Sequence, residues 1–376
     1  PVSAFATLER FHCIPEDSLF DPIEKGYKWG EEFGYCWFKT DFVVPDGLDG
    51  KDIFIRPHIS GYEGTLWVDG VPYGNFSTKI VFTGHGNHYC DLLKKDAKAG
   101  EKIAIDLEYY AGHSYKGCHP TENNPLLTYD FSYEGIDICV KNYAIQEFYF
   151  DLRTLVQLVK NLPESSFRRA SVINELEKVF KEIYQSPDDV DRDEFMTALE
   201  RAKPYLKKAL SVKNGDDAPK AALIGHSHMD TAWLWHVGET VKKCARTYAN
   251  QLALMDELDI DLVEVTAHAG ARPSHQEWQG QIYCRKGSHP KYKNFEEATG
   301  YGTGDGLCGW NCNHSFFPYV EGAPRTYSKA QLKDYSAKNI TYNGQQLTEY
   351  EALQQQRYIE RGIRRWKREE AAMKAA

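Results

Sequence analysis

The spacing of apolar positions changes twice along this chain, and each change marks a different kind of structure. From Phe11 to about Ala144, large apolar residues alternate with polar ones in short runs such as "CWFKTDFVVPDG", the pattern of strands that bury one face. "TLWVDGVPYGNF" reads as a hairpin, because Asp69-Gly70 suits a type I′ turn between Leu66, Val68 and Val71, Tyr73. Further short strands in "IFIRPHISG" and "KIAIDLEYYAG", punctuated by Gly and Pro, predict an antiparallel, jelly-roll-like β-sandwich over residues 1–145.

The period then becomes helical. Leu152, Leu155, Leu158, Val159 and Leu162 form one stripe. Leu176, Val179, Phe180 and Ile183 form a second, and Leu199, Ala202, Leu206 and Leu210 a third. Breaks at "NLPESS" and "QSPDDVDRDE" suit helix ends and starts, so a helical segment is expected over residues 146–215. After the polar linker "KNGDDAP" comes "KAALIG", which fits a buried parallel strand, and then a helix with Val241, Cys244, Tyr248, Leu252 and Met255 along one face. Strand, loop and helix over residues 216–257 form the opening of an α/β unit. In such folds ligands bind at the carboxyl ends of the strands.

"GHSHMDTAWLW", Gly225 to Trp235, occupies that position. In an extended segment His228 and Asp230 point to the same side, so both can reach one cation, and an imidazole with a carboxylate suits zinc. Trp233 is close enough to wall the pocket, and an aromatic face packs well on the C–H face of a sugar. Two alternatives stay open on spacing: local capping by His226 and His228, or His226-x-His228 as the ligand pair of an amidohydrolase-type site.

The motif and the following "ETVKKCARTYANQLALMDE" resemble the start of the catalytic domain of glycoside hydrolase family 38, the class II α-mannosidases. The preceding sandwich and helices resemble that family's N-terminal region, so the resemblance covers about residues 1–257 and implies that 216–257 is the first β-α unit of an α/β barrel, incomplete because the family pattern breaks after Glu257. It implies one divalent cation, Zn2+, with His228 and Asp230 as metal ligands, Trp233 in the mannose subsite, and retaining hydrolysis of terminal α-mannosides or oligosaccharides. In the family a downstream aspartate is the nucleophile and a downstream histidine completes the metal shell. No later residue here stands in a matching context, so the nucleophile is unassigned and turnover by this chain is not expected.

From Leu258 the resemblance changes. "LDIDLVEVTAHAGARPSHQEWQGQIYC", "GYGTGDGLCGWNCNHSFFPYVEGAPRTYS" and "TYNGQQLTEYEALQQQRYIERGIRRWKRE" are similar to phage minor capsid protein type 2, a family of portal-associated head components. Over residues 258–376 this implies a small α+β module with a C-terminal helix, and phage portal or capsid proteins as partners. Members carry a basic residue where Asn313 stands, which weakens any phosphate or nucleic-acid role there. Cys308, Cys312 and His314 lie together in a glycine-rich loop with His268 and His275 upstream. Zinc held by the three and by His275 is one reading, and a packed loop with reduced thiols is the other. "GYGTGDG" lacks the Lys-Ser/Thr of a P-loop. The final helix, dense in both signs of charge, reads as a solvated face with Leu353, Tyr358 and Trp366 as contacts.

The whole chain, 376 residues with 42% hydrophobic and 26% charged, has room for several globular domains. A net charge of -9 argues against a nucleic-acid-binding surface. Nine scattered cysteines suggest reduced thiols and a bacterial cytoplasmic setting, or the virion if the capsid-like part dominates. No apolar run is long enough for a membrane span, and "PVSAFATLER" does not read as a secretory leader. The two resemblances meet within "LALMDELDIDLVEV". A recombined or misassembled gene is the leading explanation for a chimeric chain, and a natural fusion the second.

Overall fold

The computed structural model describes residues 1–77, 90–113, 129–183, 190–213, 229–233 and 235–375. Two compact units emerge, residues 1–250 and 251–376.

The first unit opens with strands β1 (Val2–Thr7), β2 (Asp21–Ile23), β3 (Tyr27–Trp29), β4 (Tyr35–Val43), β5 (Ile53–Ile59), β6 (Glu63–Val68), β7 (Val71–Ser77), β8 (Asp91–Lys94), β9 (Lys102–Tyr110) and β10 (Phe131–Cys139). They pair antiparallel in two sheets, ordered β2-β1-β4-β9-β6-β7 and β3-β10-β5-β8. Alternate residues of both sheets meet in one core, with Phe38, Ile103, Ile105, Leu107 and Tyr109 from one side and Trp29, Ile53, Ile55 and Tyr133 from the other. The β6–β7 hairpin turns through Asp69 (φ 50°) and Gly70 (φ 84°), both left-handed as a type I′ turn requires. Gly74 is fixed by crowding, since a Cβ there would lie 2.1 Å from Asp91 Oδ2.

The expectation of one buried face per strand fails in the middle of the larger sheet. Tyr35, Cys36, Trp37 and Phe38 of β4 are all buried, and so are Asp106, Glu108 and Tyr110 on the outer side of β9. The reason is helix α4 (Val237–Glu257), whose first turns cover that outer face. Lys242 pairs with Glu108 and sits over the rings of Tyr35 and Trp37, at 5.2 and 5.7 Å. Arg246 pairs with Glu239 and, at 3.0 Å, with Glu63. The Tyr35 hydroxyl donates to Glu239, and Lys243 pairs with Glu63. Burial next to the Glu239 carboxylate raises the Tyr35 pKa, and burial raises that of Glu108 against the pull of Lys242.

Between sandwich and α4 lie α1 (Tyr143–Asn161), α2 (Phe167–Glu182) and α3 (Arg192–Ser211), packed around Phe148, Leu155, Leu176, Val179, Leu199 and Leu206. Asn142, Ser166 and Asp191 cap the three helices, the last two inside the breaks "NLPESS" and "QSPDDVDRDE". "KAALIG" lies outside the described residues.

The second unit is built on a three-stranded antiparallel sheet, β12 (Ile282–Cys284), β11 (Leu262–Val265) and β13 (Phe316–Pro318), with β11 central. Val263, Val265, Trp278, Tyr283, Phe295 and Leu307 form its core. Short helices α5 (Pro273–Gln276), α6 (Phe295–Thr299) and α7 (Lys329–Tyr335), a hairpin of β14 (Ile340–Tyr342) and β15 (Gln345–Leu347), and the long α8 (Glu349–Ala375) complete it. Of the contacts expected from α8, Leu353 is half-buried, whereas Tyr358 and Trp366 are 70% and 60% exposed. Ile359 and Ile363 of the same helix are exposed as well, at 43% and 41%, so this stretch of α8 leaves its apolar side chains open to solvent. No helix of the described residues is long and apolar enough to cross a membrane.

Candidate functional site

Of the first set of expected ligands, His228 (with His226) lies outside the described residues. Asp230 is half-buried, and Trp233 is 59% exposed with its ring edge-on to Trp235 at 5.9 Å. Past Trp233 the chain turns to enter α4, where the Trp235 indole N–H donates to Thr240 Oγ1 at 3.1 Å.

The second set does converge. Antiparallel pairing of Val265 with Phe316 brings the residues after β11 beside those before β13, and the Thr266 amide donates to the Ser315 carbonyl at 2.9 Å. His268 and His314 are thereby neighbours, ring centroids 4.4 Å apart. Helix α5, opened by Pro273, carries His275 in beneath them, 5.6 Å from the His314 ring. The Gly-rich loop folds tightly on itself, since a Cβ on Gly306 would lie 1.8 Å from the Gly300 carbonyl oxygen. Cys308 and Asn311 take left-handed backbone, at φ 61° and 54°, before the chain delivers Cys312.

One donor atom each from His275, Cys312 and His314 lies within 4.8 Å of the others. The Cys312 sulfur is 3.5 Å from His275 Nδ1 and 3.6 Å from His314 Nδ1. His275 and His314 are 1% and 5% exposed. Burial lowers the pKa of His275, and burial beside His268 and His275 lowers that of His314 to about 4. Both imidazoles are therefore neutral at neutral pH, the form that can donate a lone pair.

Cys308 falls outside this group. Its thiol donates to the His314 carbonyl at 3.5 Å, and burial pushes its pKa to about 11. His268, which spacing does not single out as a ligand, joins the edge of the group. Its position just beyond a strand register-matched to His314 is the available signal. A cavity of about 360 Å³ opens over the cluster, with Arg272 and, from α8, Leu353 and Arg357 among its walls.

Two family models match the chain over different stretches. Residues 8–128 match "Alpha-mannosidase, jelly roll domain", and residues 229–376 match "Phage minor capsid protein 2". α-Mannosidase G of Dictyostelium discoideum is 28% identical over 64% of this chain and 22% of its own length. α-Mannosidase 2C1 of Mus musculus is 24% identical over 78% of this chain and 27% of its own. A structural protein of Lactococcus phage LL-H is 32% identical over 34% of this chain and 33% of its own, and one of Lactococcus phage mv4 is 39% identical over 22% and 59%. This chain thus spans about a quarter of the length of those α-mannosidases. A Ruminococcus gnavus β-glucuronidase overlays with a TM-score of only 0.20, at 16% identity over 30% of this chain and 20% of that one. The chain is similar to α-mannosidases in its N-terminal part and to phage minor capsid proteins in its C-terminal part.

Proposed function

We propose that this chain acts as a structural protein of the phage-head type through its C-terminal unit, and that its α-mannosidase-like region does not hydrolyse mannosides. The observation that supports this reading is the direction of β11. An α/β barrel would follow α4 with a strand parallel to its neighbours. Instead β11 pairs antiparallel on both sides and closes a core of its own. Retaining hydrolysis needs a nucleophilic carboxylate and an acid on opposite faces of the sugar, and the stretch that would supply them matches a structural-protein family. Portal or capsid proteins are the partners this reading gives, and the virion its location.

The motif "GHSHMDTAWLW" favours a second reading, a zinc-dependent α-mannosidase in the bacterial cytoplasm with His228 and Asp230 on the metal and Trp233 at the sugar. An aryl α-mannoside assay with added zinc or cobalt separates the two. No turnover above buffer is expected. Turnover abolished by His228→Ala or Asp230→Ala would establish the enzyme instead.

A further inference from the structure

We infer that His275, Cys312 and His314 form a zinc site in the second unit, with His268 placed to supply a fourth ligand. The inference rests on the side chains alone and holds whichever functional reading is correct.

The spacing fits the ion. Zinc bonds of about 2.3 Å to sulfur and 2.0–2.1 Å to nitrogen, at a tetrahedral angle, put S and N about 3.5–3.6 Å apart. The Cys312 sulfur lies 3.5 Å from His275 Nδ1 and 3.6 Å from His314 Nδ1. One cation between the three donors satisfies all of them at once. A thiolate with imidazoles suits zinc and excludes calcium or magnesium, which take oxygen.

The surroundings are those of a ligand shell. His275 Nε2 lies 3.2 Å from the Asp305 carbonyl, so it carries the proton and leaves the Nδ1 lone pair facing Cys312. His268 Nδ1 lies 2.7 Å from the Ala269 carbonyl, which leaves its lone pair on Nε2. That Nε2 is buried without a hydrogen-bond partner, on a side chain that lines the cavity. A buried lone pair of this kind is rare unless something binds it.

Titration of the full-length chain with Co2+ in place of zinc tests the site. One equivalent should bind with an intense sulfur-to-cobalt charge-transfer band and the visible bands of a tetrahedral ion. Cys312→Ser should abolish the charge-transfer band, and His275→Ala should weaken zinc binding by about a hundredfold or more, beyond the loss expected for an outer-shell partner. Cys308→Ser should keep both band and affinity, because that thiol only donates to a carbonyl. Circular dichroism of each variant guards against simple unfolding. As a second measurement, chelation should lower the melting temperature of the unaltered chain and zinc should restore it. Absence of a charge-transfer band in the unaltered chain, or its persistence in Cys312→Ser, would overturn the assignment.

Discussion

Asp256 shows how one buried carboxylate can be read as a stability term. Burial by itself would raise its pKa, but hydrogen bonds from Lys286 and Arg285 outweigh it and leave the net value below the usual carboxylate range. A depressed folded-state pKa contributes stability that is present above the unfolded value and is lost as pH falls through the folded one. Asp256→Asn should therefore destabilise the second unit by about 1–3 kcal/mol at pH 7. The gap to the unaltered chain should shrink as pH drops below about 4, and denaturant melts at pH 7 and pH 3 give the comparison. An equal gap at both would show that Asp256 acts through shape and not charge. At the same scale, the Cys312–His314 pair is legible from its spacing, and His275 from composition. Cys308 is not, because a Cys-x3-Cys count ignores backbone direction: with φ at 61° the residue turns its thiol to a carbonyl.

At the scale of elements, α4 is the instructive case. Its apolar spacing predicts that Val241, Cys244, Tyr248, Leu252 and Met255 face inward. In the fold Val241 and Tyr248 are exposed, at 57% and 68%, and the buried side chains include Glu239, Lys242, Arg246 and Ala249. Charges at such spacing ordinarily mark a solvated face. What reverses the rule is a set of carboxylates, Glu63 and Glu108, that belong to strands far earlier in the chain, which no local period can reveal. The hairpin at Asp69-Gly70 and the capped bundle are legible because their causes are local. Lys242→Ala should strand Glu108 in a dry site and cost about 3–5 kcal/mol, while Glu108→Leu with Lys242→Met should recover most of it. Denaturant unfolding of the three variants measures this. A single substitution costing under about 1 kcal/mol would mean that water already reaches the pair.

For the whole molecule, each unit has a core of its own, so local damage should stay local. Limited proteolysis should leave a resistant N-terminal fragment that contains the sandwich; digestion without any intermediate would contradict that. Whether the chain is one natural gene can be read directly: repeated uninterrupted DNA reads across codons 245–270 would sink misassembly as the explanation. The cover that α4 places on β9 also sets a clock. Glu108 and Lys242 are 134 residues apart in sequence. At about 5–20 residues per second of ribosomal synthesis, the larger sheet waits on the order of ten seconds for its lid. Throughout that interval Trp37, Tyr35 and an unpaired Glu108 stand in water, so the nascent chain is most open to chaperones, and to sticking to its neighbours, on the very face that ends up best protected.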